Sequence, residues 1–180
     1  FNVAFDTPYE EIYVPAIPFW KTKWFRGAKL SYVHHVFRNA TPKQPAIIYQ
    51  SETTDTVEIS WAQLIAKTYT LQQQLIALGV TKGDVVVCYG INSPETLAAF
   101  LAANALGAVW SSCSPDFGTD AVCHRFTQLA PKMLLAHQQY TYGGKAFDVK
   151  TKIITISDSI GSIENTLLLD DHKDLDDDFV

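Results

Sequence analysis

Beyond residue 45 two spacings of apolar positions alternate along the chain. Short β-prone runs at residues 46–50 (AIIYQ) and 56–59 (TVEI) flank the polar stretch 51–55, which predicts a hairpin. Trp61, Leu64, Ile65, Thr68, Leu71, Leu75 and Leu78 then recur at helical spacing, behind a Ser60/Gln63 capping box and ahead of the helix stop Gly79. Residues 81–84 read as a turn, and the unbroken run 85–89 (VVVCY) suits a strand buried on both faces of a parallel sheet. Ser93 as cap, Pro94 at the first helical position and Glu95 on the positive end of the dipole predict a second helix, running to Gly107. Residues 108–112 predict a strand, 119–129 a helix closed before Pro131, and 132–136 (KMLLA) a further strand. Residues 151–160 are β-prone in composition, yet Ile153, Ile156 and Ile160 fall at helical intervals; the reading adopted is a helix, followed by a strand at 166–169. Strict alternation with short connections predicts an α/β fold: a partial doubly wound, mostly parallel sheet flanked by helices, with a small β-hairpin.

The first 32 residues behave differently. They hold nine aromatics, from Phe1 to Tyr32, and Pro8, Pro15 and Pro18 exclude a long regular helix before Trp20. This predicts an extended aromatic arm, ordered only by laying its rings on apolar surface, which can lie outside the chain.

Composition narrows the function classes. With 47% hydrophobic and 18% charged residues in 180, the chain can bury a core, and no apolar run approaches the roughly 20 residues of a membrane helix. The net charge of −5 comes from the end: six acids, Asp170, Asp171, Asp174, Asp176, Asp177 and Asp178, stand there with one base, Lys173. The rest is neutral, so no basic stripe proposes nucleic acid or membrane as a partner, and the acidic tail reads as a solvated loop or frayed end. Cys88, Cys113 and Cys123 form no CxxC pair and match no histidine spacing; neither a disulfide framework nor a zinc site is expected, and a reducing, cytoplasmic compartment fits. Asn39, Ala40 and Thr41 formally match a glycosylation acceptor, read as chance. A start at Phe1 rather than Met predicts an excerpt of a longer chain.

In open α/β sheets ligands bind beyond the carboxyl ends of strands, at helix amino ends. Three segments qualify: 90–93, 113–118 and 137–147. The first is read as a helix start rather than a ligand contact. The second places Ser114, Pro115, Asp116 and Phe117 between a buried strand and a helix, where small side chains let a ligand approach the backbone. A binding loop and a packed turn both fit it. The third offers Tyr140, Tyr142, Gly143, Gly144 and Lys145, either a grip on phosphate or adenine or a surface turn. It is not a nucleotide P-loop, because Gln139 stands where that motif needs glycine and Ala146 where it needs Ser or Thr. No catalytic set and no metal site is expected: no histidine is brought to Cys113, and His34, His35, His124, His137 and His172 lack metal spacing.

The segments 24–32 (WFRGAKLSY), 59–64 (ISWAQL), 78–84 (LGVTKGD), 107–118 (GAVWSSCSPDFG) and 142–145 (YGGK) together resemble, in order and over essentially the whole chain, the acetoacetate–CoA ligase branch of the adenylate-forming superfamily. The turn 78–84 marks the superfamily; 110–118 and 142–145 mark the branch. The resemblance implies an AMP-forming ligase: the carboxylate of acetoacetate attacks the α-phosphate of ATP, with Mg2+, to give an acyl-adenylate and pyrophosphate, and the CoA thiol then displaces AMP. It divides the chain into an N-terminal arm at 1–45 and, at 46–180, the incomplete first part of the AMP-binding large domain. The family's phosphate loop, adenine motif, ribose aspartate and C-terminal lysine find no match here, so a piece inactive alone is expected, with the remainder of the same polypeptide as its partner. A homo-oligomer is compatible with this.

What the resemblance leaves for this chain is CoA-side surface. Tyr142, Gly143, Gly144 and Lys145 match a segment offering arginines to the 3′-phosphate of CoA, and Ser114, Pro115, Asp116 and Phe117 match a loop near the CoA adenine. Lys145 keeps a cation at one matching position, and Tyr142 replaces the arginine at the other. Ser31 and Arg26 also depart from the family pattern. Two other readings are a ligase for acetate, propionate or another 3-oxo acid, and a non-catalytic binding module with the same fold.

Overall fold

The structure is a computed structural model and describes residues 2–169; the acidic segment from Asp170 onward, His172 included, lies outside the described residues. The chain divides into two compact units, Phe1–Ala40 and Thr41–Val180.

In the first unit β1 (Glu11–Val14) pairs antiparallel with β2 (Lys23–Arg26), with Tyr13 opposite Trp24 and their rings 4.8 Å apart. Arg26 bonds the carboxylates of Glu10 and Glu11 at 3.0 and 2.8 Å. The helix α1 (Tyr32–Phe37) is capped by Ser31, whose Oγ accepts from the His34 N–H. The arm thus orders part of itself by backbone pairing and ring-to-ring contact. The strand pair escapes a reading by alternation because seven of its eight residues are exposed, so no buried face marks it.

In the second unit β3 (Ile47–Tyr49) and β4 (Val57–Ile59) form the expected hairpin, with Ile47 opposite Ile59. The helix α2 (Trp61–Ala77) opens on a complete capping box: the Gln63 N–H donates to Ser60 Oγ at 3.2 Å, and the Ser60 N–H to Gln63 Oε1 at 2.8 Å. Then follow β5 (Val85–Tyr89), α3 (Pro94–Ala105), β6 (Val109–Cys113), α4 (Thr119–Thr127), β7 (Met133–Ala136), β8 (Gln139–Tyr142), β9 (Lys145–Asp148), α5 (Lys150–Ser159) and β10 (Asn165–Leu168).

The parallel sheet has the order β10-β7-β5-β6. From β5 the chain steps outward to β6, then crosses back to β7 on the other side. Right-handed crossovers taken in opposite directions put α3 and α4 on opposite faces. α2 packs with α3, and α4 with α5. Strand alternation sends Val87 and Tyr89 toward Val122, Phe126, Ile153 and Ile156, all in one buried cluster. α3 is alanine-rich, with Ala98, Ala99, Ala102 and Ala103 fully buried, and such small side chains allow close helix packing. The helix chosen for residues 151–160 is present as α5.

The hairpin β8–β9 is an element beyond those the periodicity predicts. Gly143 and Gly144 have φ of 59° and 71°, the left-handed pair that a two-residue hairpin turn requires. Tyr140 faces Phe147 across the strands and stacks on it at 4.9 Å. The available signal is Gly-Gly after the β-prone quartet 139–142 (QYTY); 145–148 (KAFD) has only Phe147 in its favour.

Candidate functional site

The reversal of strand order lies between β5 and β7, and their carboxyl ends open into a cavity of about 840 Å³. Ile91, Asn92 and Ser93, which follow β5, line it, with His137 after β7 and Leu169 after β10. The β3–β4 hairpin, the β8–β9 hairpin and the first turns of α2 and α3 supply further walls. This is where an open α/β sheet offers a ligand crevice.

The cavity floor is fixed locally. Ser93 caps α3 through Oγ, which accepts from the Thr96 N–H at 3.2 Å. The buried His137 ring brings Nε2 within 3.3 Å of the same oxygen. Thr96 Oγ1 donates to the Ile91 carbonyl at 2.7 Å, holding the loop between strand and helix. Lys67 of α2 pairs with Glu95 at 3.4 Å, both at the cavity wall. The segment 90–93 therefore leads into a helix, and its residues 91–93 also border the cavity, two roles that do not exclude each other.

The loop after β6 is built as a turn. The Phe117 N–H donates to the Ser114 carbonyl at 3.2 Å, with Pro115 at the second position, where its fixed φ suits the turn. Tyr89, fully buried at the end of β5, donates its hydroxyl to the Pro115 carbonyl at 2.6 Å, with the Phe117 carbonyl 3.1 Å away. Burial, reinforced by the neighbouring Tyr140, Asp116 and Cys113, pushes that phenol up to about 12, so it stays a donor at neutral pH. On the outer side the Arg125 guanidinium lies 4.6 Å from the centre of the Phe117 ring, a cation–π contact. Reading the sequence missed Tyr89 and Arg125: the first reads as core, the second as a polar position of α4. Tyr89→Phe is expected to destabilise this unit by about 1–2 kcal/mol, the loss of one buried hydrogen bond, measurable by denaturant titration.

Tyr142 and Lys145 pair across the tip of the β8–β9 hairpin, both exposed, with Gly143 and Gly144 as its turn. The amides of the two glycines already have a partner: Gly143 N–H donates to Glu52 Oε1 at 2.9 Å and Gly144 N–H to Glu52 Oε2 at 2.7 Å. Those two donors, Gly144 first, hold the Glu52 carboxyl below its ordinary value. None of Ser114, Pro115, Asp116, Phe117, Tyr142, Gly143, Gly144 and Lys145 lines the 840 Å³ cavity, although residues 139–141 of the same hairpin do.

Cys113 is buried, and all three cysteines are free thiols. Cys88 is pushed up to about 12 by burial, which removes it as a thiolate nucleophile. Among the described residues no group of three or more His, Cys, Asp or Glu side chains is arranged to hold a metal ion, and no helix is long and apolar enough to cross a membrane.

Comparison with known proteins places this geometry. A structure of acetoacetyl-CoA synthetase from Streptomyces lividans superposes with a TM-score of 0.87 and 33% identity, over 98% of this chain and 30% of that one. Acetoacetyl-coenzyme A synthetase of Rhizobium meliloti is 39% identical over 140 residues, 78% of this chain and 21% of the relative. The Mus musculus acetoacetyl-CoA synthetase is 31% identical over 148 residues, 82% of this chain and 22% of the relative. The chain thus spans about a fifth of the length of these curated relatives. A family model described as AMP-binding enzyme matches residues 35–178, which is most of the sequence, and the chain belongs to that family.

Proposed function

We propose that this chain works as part of an AMP-forming ligase that activates acetoacetate with ATP and passes the acyl group to CoA. The observation that carries the reading is the 33% identity and TM-score of 0.87 to the Streptomyces lividans acetoacetyl-CoA synthetase across 98% of the chain. In this reading residues 1–45 are the N-terminal arm, and residues 46–180 contribute the first part of the large domain. The rest of the same polypeptide completes it, in the cytoplasm and with room for a homo-oligomer.

The chemistry divides accordingly. Adenylation needs phosphate charge neutralised and the carboxylate held in line with the α-phosphorus. Mg2+ is usually held by one or two carboxylates together with substrate phosphates, and no step is assigned to it within this chain. The role we assign to the chain is to present CoA. Lys145 and Tyr142 at the exposed hairpin tip, on the Gly143–Gly144 turn, are the candidates for its 3′-phosphate. Ser114, Pro115, Asp116 and Phe117, a turn held from beneath by Tyr89, are the candidates for its adenine.

The test uses the full natural protein with acetoacetate, ATP, magnesium and CoA. Acetoacetate-dependent pyrophosphate release is expected, and its absence overturns the ligase reading. Lys145→Ala is expected to weaken CoA roughly tenfold, as one charge-assisted phosphate contact is lost, and to leave adenylate formation unchanged. If adenylation and thiolation fall together, Lys145 holds the fold and not CoA.

A further inference from the structure

Glu52 lies in the turn between β3 and β4, where the Ser51 N–H donates to the Thr54 carbonyl at 3.1 Å and the Thr53 N–H to Ser51 Oγ at 3.2 Å. The turn that it reaches, at Gly143 and Gly144, is 91 and 92 residues away in sequence. Both glycines have positive φ, which turns their consecutive N–H groups toward one side and makes the concave anion seat known from backbone nests. Each carboxylate oxygen takes one of the two amides. The two hairpins so joined flank the same cavity, with Ser51, Glu52 and Thr53 on one wall and Tyr140, Thr141 and Ala146 on the other.

We propose that Glu52 is a removable internal anion that straps the β3–β4 hairpin to the β8–β9 hairpin beside the cavity, and that an anionic ligand group docking at the Gly143–Gly144 turn does so by displacing it. Three observations carry this. The contact uses both oxygens of a carboxylate and two main-chain donors, so another multi-oxygen anion satisfies the same donors. It lies at an exposed position, so it can exchange without opening the core. The Glu52 carboxyl is held below its ordinary value, so it leaves the seat as an anion, by exchange and not by protonation. A terminal phosphate monoester carries close to two charges and three acceptor oxygens against one charge and two, which favours the exchange. The choice of the CoA 3′-phosphate as that anion rests on the function proposed above; the strap itself does not.

Two measurements on the full natural protein test it. In hydrogen exchange read on peptides spanning residues 140–146, Glu52→Ala and Glu52→Gln are each expected to raise the exchange rate at the turn roughly three- to tenfold, as exposed hydrogen bonds to a carboxylate are lost. Unchanged exchange in both variants overturns the strap. In binding, Glu52→Ala is expected to tighten CoA roughly three- to tenfold and to leave dephospho-CoA, which lacks the 3′-phosphate, unchanged. An equal effect on the two ligands, or none on CoA, overturns displacement. Lys145→Ala separates the two proposals. If it leaves the preference for CoA over dephospho-CoA intact, the CoA reading of the turn fails and displacement by CoA falls with it, while the exchange measurement still decides the strap.

Discussion

Phe126→Ala is expected to lower the unfolding free energy of the Thr41–Val180 unit by about 3–5 kcal/mol, at the upper end of what a single truncation produces. Phe126 is fully buried, and it and Val122, one turn earlier, are the two buried residues of α4. The ring packs in the cluster that joins Val87, Leu134, Ile153 and Ile156, so its removal opens a void between the sheet and both helices of that face. The surroundings cannot collapse into that void without dragging α4, which begins where the loop of Ser114 to Phe117 ends. The expected loss lowers Tm by on the order of 10 °C. Ile154→Ala in α5 is the matching control, because that side chain is 60% exposed and surface substitutions usually stay within about 0.5 kcal/mol. If the two variants unfold at the same denaturant concentration, the cluster is not what holds this face together.

Gly90→Ala is expected to destabilise the same unit by about 1–3 kcal/mol, by overpacking and not by strain in the main chain. A methyl group at Gly90 would sit 2.5 Å from His137 Nδ1 and 3.1 Å from Cys88 Sγ. Both neighbours are buried side chains with little room to retreat. The imidazole has to move, which breaks its approach to Ser93 Oγ and shifts the cap of α3 at the cavity floor. Thermal unfolding gives the stability change, and the His137 ring resonances in an NMR spectrum report the displacement. A variant as stable as the parent, with unmoved resonances, contradicts the packing described.

These two sites also show where the sequence is legible. Strand β5 and helices α2 and α3 stand out because their signals are local: an apolar run, a Ser60/Gln63 box, a Ser93-Pro94-Glu95 start. Gly79 and Gly107 mark helix ends for a reason visible afterwards in the hydrogen bonds. The Val80 N–H bonds the Leu75 carbonyl, and the Ala108 N–H the Ala103 carbonyl, past a glycine of positive φ in each case. What stays hidden is whatever joins distant positions. Nothing near Glu52 announces two glycine amides some ninety residues away, and nothing near Tyr89 announces that a core residue props up the loop of Pro115 and Phe117. The cavity is hidden for the same reason, since its walls come from strands, turns and helices scattered between Tyr49 and Leu169. The rule that ligands gather beyond strand carboxyl ends points to residues 90–93, 113–118 and 137–147, of which 113–118 lines no part of the cavity; choosing among those segments needs the strand order, and spacing along the chain does not supply it.

The place of β5 at the centre of the sheet bears on how the polypeptide emerges during synthesis. Its neighbours are both later in sequence, Val109 opposite Val85 and Met133 opposite Val86. At roughly 5–20 residues per second, the run of Val85, Val86, Val87, Cys88 and Tyr89 waits several seconds after leaving the ribosome before both of its sides are covered. Five uncharged, β-prone residues with two bare edges are the kind of segment that pairs with another nascent copy. The centre of the sheet therefore closes only once β7 has been made, late in the synthesis of this unit.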